Sequence, residues 1–202
     1  MGGSARVTTS TLVERTALKE WAVLCEAMAH GDIVAMVRKG GIREQRAGFA
    51  VRHDRFLLYP TFFHAREDEL APRFRNALAG SQAAQPPAGV VRLSLVADVA
   101  AVWQVHDLEA LRGIERDHGL AWGAVESRFN YRGVPGVHVV AVRVSRLAAT
   151  VDLPEVRRYA GCVSWVELDV DVEVNGTVPS LDDDAFAARL TSMRAALGEG
   201  VE

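Results

Sequence analysis

The sequence is sparse in several features that would classify it at once. It has two cysteines in 202 residues, Cys25 and Cys162, far apart and neither part of a CxxC pair. That usage argues against a disulfide scaffold and fits a reducing compartment, where a lone Cys mostly packs as a small hydrophobe. No apolar run approaches the roughly 20 residues a membrane-spanning helix needs, and the opening MGGSARVTTST lacks a signal-peptide core. The expectation is a soluble, cytoplasmic chain with no membrane partner. There is no internal repeat, no low-complexity tract, and no HxxxH or Cys/His cluster at zinc spacing. Neither a metal nor a cofactor is expected. Excess charge is missing too: 23 Lys and Arg against 26 Asp and Glu leave a net of -3, which argues against a generic polyanion binder.

What is present is ordinary globular composition, 49% hydrophobic and 24% charged. The length suits one domain over 10–197, or two lobes joined near the small, Pro-rich segment GSQAAQPPAG at 80–89. Charge is uneven. Residues 1–80 carry more Lys and Arg than acids, and the stretch from Glu167 onward is acidic.

Patterning predicts an α+β fold. Thr11 and Glu14 stand at capping-box spacing ahead of Leu18, Trp21, Ala22, Cys25 and Met28, one face of an amphipathic helix that Gly31 would stop. Three short strands are expected next, at about Ile33 to Arg38, Phe49 to His53 and Arg55 to Tyr59, with His53–Asp54 as a tight turn. A helical pattern over Glu67 to Leu78, interrupted by Pro72, leads to a strand at Val90 to Val96. The second half is β-rich. Asp107 is placed to cap a helix reaching about His118, Val137 to Val144 reads as a strand buried on both faces, and another strand runs from about Val163 to Val174. Ser180 and Asp183 repeat the capping-box spacing before a closing helix striped by Phe186, Leu190, Met193 and Leu197. The order of the first half, helix, three strands, helix, strand, is that of restriction-endonuclease-like cores.

Four groups of residues can carry chemistry. Arg38-Lys39-Gly40-Gly41-Ile42-Arg43-Glu44 joins a tight glycine turn to flanking cations, and such a turn either holds a phosphate or is a solvated hairpin tip. It lacks the GxxxxGK[ST] spacing of a P-loop. Tyr59, Thr61 and His64 fall at a strand end forced by Pro60, where His64 can carry a proton, bond a phosphate or cap the next helix. Cys162, within Tyr159 to Leu168, has no flanking base and reads as packing. Arg128, Arg132 and Arg143, interleaved with Trp122, Phe129 and Tyr131, have the composition of a single-strand surface or of an ordinary surface around a buried Trp. The Asp182–Asp184 run suits a helix start better than a metal.

Four blocks together resemble the bacterial family called domain of unknown function 1802: Ala17-Leu18-Lys19-Glu20-Trp21-Ala22, Arg38 to Glu44, Phe56 to His64, and Tyr159 to Leu168. They span most of the chain in the family's order. Where the family often continues with Gln after the His, this chain has Ala65. The resemblance implies no established activity; it implies a restriction-modification or DNA-defence setting, with a restriction-endonuclease partner, by association alone.

Two functional expectations follow. One is an accessory module binding DNA or RNA through Arg38, Lys39, Arg43, Glu44, Tyr59, Thr61, His64 and Arg128. The other is a divergent metal-dependent nuclease using Glu20, Glu44, Asp54 and Lys39, although Glu44-Gln45-Arg46 stands where Glu-x-Lys would be wanted. A protein-interaction scaffold whose glycine turn only shapes the fold is the third reading.

Overall fold

The computed structural model describes residues 11–39, 53–161 and 163–200. The expected strand at 49–53, the Gly40–Gly41 turn, Arg43, Glu44 and Cys162 lie wholly or mostly outside them. Among the described residues, four α-helices and a seven-stranded sheet make up an α+β fold that closes, as expected, on a C-terminal helix.

The first element departs from expectation. The chain opens on a strand, β1 (Val13–Trp21), and only then enters helix α1 (Ala22–Ala29). The apparent capping box has another use. Glu14 Oε1 accepts the N–H groups of Arg15 (2.9 Å) and Thr16 (2.8 Å), where the pairing register of β1 shifts between Glu14 and Thr16. A carboxylate that satisfies two donors at a bulge is mistaken easily for one that satisfies a helix start. The restriction-endonuclease-like order falls with the opening helix, since a strand now precedes it.

Strand β2 (Ala35–Arg38) follows, then β3 (Arg55–Thr61). Pro72 begins helix α2 (Pro72–Ala83) instead of interrupting it, because Pro lacks only a donor that the first turn leaves unused. The long strands β4 (Val90–Val105) and β5 (Val137–Pro154) pair along most of their length, with α3 (Trp122–Phe129) between them. Residues 109–114 form a 3-10 turn in place of the expected helix, its start held by Asp107 Oδ1 accepting Glu109 N–H at 3.0 Å. Strands β6 (Trp165–Glu173) and β7 (Val178–Pro179) precede α4 (Asp183–Leu197). Asp182, not Ser180, caps α4: its Oδ1 accepts Ala185 N–H at 2.7 Å.

The sheet order is β2-β5-β4-β3-β1-β6, with β7 beside β5. Strands from both sides of the 80–89 segment share it. β1 and β3 form the one parallel pair among the described residues, with Trp21 opposite Thr61 at their carboxyl ends.

Each face of the sheet builds a core. Leu18, Phe56 and Leu58 face a large cluster shared with α1, α3 and α4, while their neighbours Ala17, Leu57 and Tyr59 face a second cluster to which no described α-helix contributes. This is the two-residue period of a strand buried on both sides. On β4 the faces exchange at an irregularity between Leu93 and Leu95: Val91 and Leu93 serve the second cluster, Leu95 and Ala97 the first. Two steps along β4 there oppose five along β5, and this break in the ladder lets a single strand feed both cores. No described helix is long and apolar enough to cross a membrane.

Candidate functional site

The second core opens into a cleft of about 450 Å³ at the carboxyl ends of the parallel pair. Period two along β1 and β3 carries the face of Ala17 and Leu57 outward to Lys19 and Tyr59, which line it. Trp21 and Arg38, at the ends of β1 and β2, complete that wall. The start of β4, including Arg92, also lines the cleft, as do Glu155 and Gly161.

An ion pair behind the lining holds Arg38 in place. Arg38 Nη1 lies 3.1 Å from Glu20 Oε2, with side-chain exposures of 14% and 5%, and also donates to the Lys19 carbonyl at 3.2 Å. Glu20 Oε1 accepts the Trp21 N–H at 2.9 Å, and the Glu20 carbonyl accepts the Thr61 hydroxyl at 3.1 Å. Arg38 and Thr61 thus brace the strand ends as well as line the cleft. Lys19 Nζ donates to the Gly161 carbonyl at 3.0 Å and to that of Tyr159, and sits 5.4 Å from the Tyr59 ring centroid.

The Tyr59 hydroxyl donates to Glu155 Oε1 at 3.2 Å. Burial pushes the phenol above its ordinary value, and the Glu155 carboxylate adds to the rise, so it is a fixed donor throughout the neutral range. At the mouth, Phe62, Phe63 and His64 form a short tip. Phe63 is 68% exposed, and His64 holds φ at 68°, a left-handed conformation that is uncommon outside glycine. Such strain gathers at working sites often enough to direct attention there.

The structure brings together Arg38, Tyr59, Thr61 and His64 of the expected set, and separates Lys39 and Arg128 from them. Lys39 donates to the carbonyls of Phe129 (3.0 Å), Gly136 (2.6 Å) and Val134, and burial lowers its pKa. It ties down a loop. Arg128 donates to the Val37 carbonyl at 2.9 Å, with its guanidinium 5.2 Å from the Trp21 ring centroid, so it supports a cleft residue without lining the cleft. The other members of the basic–aromatic series scatter: Arg143 pairs with Asp183, and Trp122 stacks with Arg112 at 3.5 Å.

Sequence reasoning passed over Lys19, Trp21, Arg92 and Glu155. Lys19 and Trp21 alternate on one strand, a signal masked by reading that stretch as a helix. Glu155 and Arg92 reach the cleft only through the fold. Of the nuclease carboxylates, Glu20 is engaged by Arg38 and Glu44 lies outside the described residues. No group of three or more His, Cys, Asp or Glu among the described residues is placed to share a metal ion. Cys25 is buried with its thiol pushed well up by desolvation, which keeps it a thiol rather than a nucleophile.

Two solved structures are similar in chain path. The ASCH protein of Zymomonas mobilis is 14% identical, with a TM-score of 0.43 over 88% of this chain and 93% of its own. A single-residue mutant of that protein is likewise 14% identical, with a TM-score of 0.45 over 90% of this chain and 99% of its own. No curated protein matches. The family match is extensive: residues 17–192, which contain every cleft residue described above, place the chain in the family termed Domain of unknown function (DUF1802).

Proposed function

We propose that the chain, as one α+β unit over 10–197, binds single-stranded nucleic acid in the cleft at the ends of β1 and β3. One observation carries the reading: aromatic side chains Trp21, Phe62 and Phe63 share a cleft with Lys19, Arg38 and Arg92. Aromatic faces accept any base by stacking, and cations beside them meet the backbone. A cleft of about 450 Å³ is within the usual range for a small ligand and holds about one nucleotide, which a duplex does not offer without unstacking. The charge is modest. Arg38 is paired with Glu20, and Arg92 with Asp152 through two 2.7 Å bonds, so stacking should outweigh Coulomb attraction. The restriction-modification setting implied by the family resemblance is adopted as the context of this module.

Fluorescence anisotropy with labelled single-stranded and duplex RNA and DNA tests the reading. Single strands should bind more tightly than duplexes. Two or three phosphate contacts would give a shallow dependence of log affinity on log salt, with slope about -1.4 to -2. Trp21→Ala should weaken binding about tenfold, the lower part of the range for one lost stacking partner. Equal affinity for duplex and single strand, or indifference to Trp21→Ala, would refute it.

A further inference from the structure

A carboxylate is out of place in a site meant only for phosphates. Glu155 is the one acidic residue among the described residues lining the cleft, which it shares with Lys19 and Arg38. It would repel a backbone passing close by. Its position is nevertheless built. The Glu155 N–H donates to the Gly89 carbonyl at 2.8 Å, which sets the backbone, and Oε1 accepts the Tyr59 hydroxyl, which orients the side chain. Tyr59 is only 3% exposed and meets the Tyr159 ring edge-on at 6.4 Å between centroids, so the phenol is a rigid post.

The hydrogen-bonding character of this pair is one-sided. With its proton directed to Glu155, the phenol oxygen offers lone pairs only, and a carboxylate accepts at several more positions than the one Tyr59 fills. Toward an entering base the pair itself therefore presents adjoining acceptors and no donor of its own. Among the bases, the Watson–Crick edge of guanine alone carries two adjacent donors, N1–H and N2–H₂. Cytosine and adenine place a ring acceptor beside their amino group, and uracil flanks its single N–H with carbonyls. A ribose 2′-hydroxyl offers one donor and fits the acceptor row less fully.

Resting on the single-strand reading above, we infer that Glu155, positioned by Tyr59, selects an unpaired guanine by accepting from its N1–H and N2–H₂. Glu155 is a specificity residue in this scheme, and Tyr59 a positioning residue that acts through it.

The test uses labelled uridine tracts with one central guanosine, inosine, adenosine or uridine, in RNA and in the corresponding DNA. Wild-type protein should bind the guanosine tract about tenfold more tightly than plain uridine, the discrimination of one good bidentate pair. Inosine, which keeps N1–H and loses the amino group, should fall between them. Glu155→Gln replaces one acceptor by a donor and should bring the guanosine-to-uridine ratio near one. Tyr59→Phe should lower the ratio in part while leaving the carboxylate in place. If all the tracts bind alike and binding still needs Trp21, the base assignment is overturned and the cleft reading stands. An RNA-over-DNA preference with no dependence on guanosine assigns Glu155 to the ribose and equally overturns it. Failure of wild type to bind any tract removes the single-strand reading and this inference together.

Discussion

Acid should destabilise this fold in large part through the buried imidazole of His118. His118 is 1% exposed. Its Nδ1 accepts the Leu120 N–H at 3.2 Å, so the neutral ring carries its proton on Nε2, which is buried and meets no hydrogen-bond partner among the described residues. Burial is the largest influence, and the guanidinium groups of Arg73 and Arg128 add to it; together they push the imidazole down to about 4, against 6.5 in the unfolded chain. The neighbouring acid, Asp117, is held by Arg189 at 2.5 Å. The unfolded chain therefore binds the proton first as pH falls through 6.5, and the folded state binds it only near 4. Stability is complete above the unfolded value and is lost on the way down. Linkage gives about 2 kcal/mol lost between about pH 7 and pH 5, rising to roughly 3 kcal/mol near pH 4. His118→Asn can still accept from Leu120 N–H but does not titrate, so its pH slope flattens whatever its baseline. Urea unfolding of both proteins across this range reads the difference directly, since carboxylate titrations common to both cancel. Parallel decline of the two proteins would refute the reasoning.

Three further outcomes are expected. Arg38→Met leaves the Glu20 carboxylate buried without its cation and should cost roughly 3–5 kcal/mol in chemical denaturation, most of which a second change, Glu20→Leu, should restore; a double variant as unstable as the single one would contradict this. Phe63→Ser, at an exposed tip, should alter stability by less than about 0.5 kcal/mol while weakening single-strand affinity about tenfold, as separate melting and anisotropy measurements would show. Gly31→Ala should destabilise by roughly 2 kcal/mol in urea unfolding, because φ is +74° and a Cβ would lie 2.6 Å from Leu181 Cδ2 and 3.2 Å from the Ser180 carbonyl.

Strands flanked by cores on both sides were read with unequal success, for a physical reason. Val137 to Val144 and Phe56 to Tyr59 declare themselves by continuous β-branched or large apolar residues, and both are strands. Val13 to Trp21 is equally a two-sided strand, but its buried residues include Thr16, Ala17, Leu18 and Glu20, which satisfy no strand alternation. Leu18 and Trp21 then line up with the true helix after Trp21 at a spacing that imitates one longer helix. The closing helix was legible from Phe186 and Met193, both buried. The cleft was half legible: Tyr59, Thr61 and His64 follow from a strand stopped near Pro60, whereas Glu155 comes from nearly a hundred residues away and nothing local marks it.

The lysines have a consequence beyond the loops they fasten. The sequence contains just two, Lys19 and Lys39, and both ammonium groups are turned onto backbone carbonyls. Acylation is a common means of erasing protein positive charge, and here it would first have to unlatch a loop. The remaining positive side chains are arginines, apart from whatever charge the histidines take up, and a guanidinium neither acylates under those conditions nor deprotonates near neutrality. The charge beside the cleft is therefore insulated from lysine-directed regulation, and amine-reactive labels should modify both lysine side chains slowly.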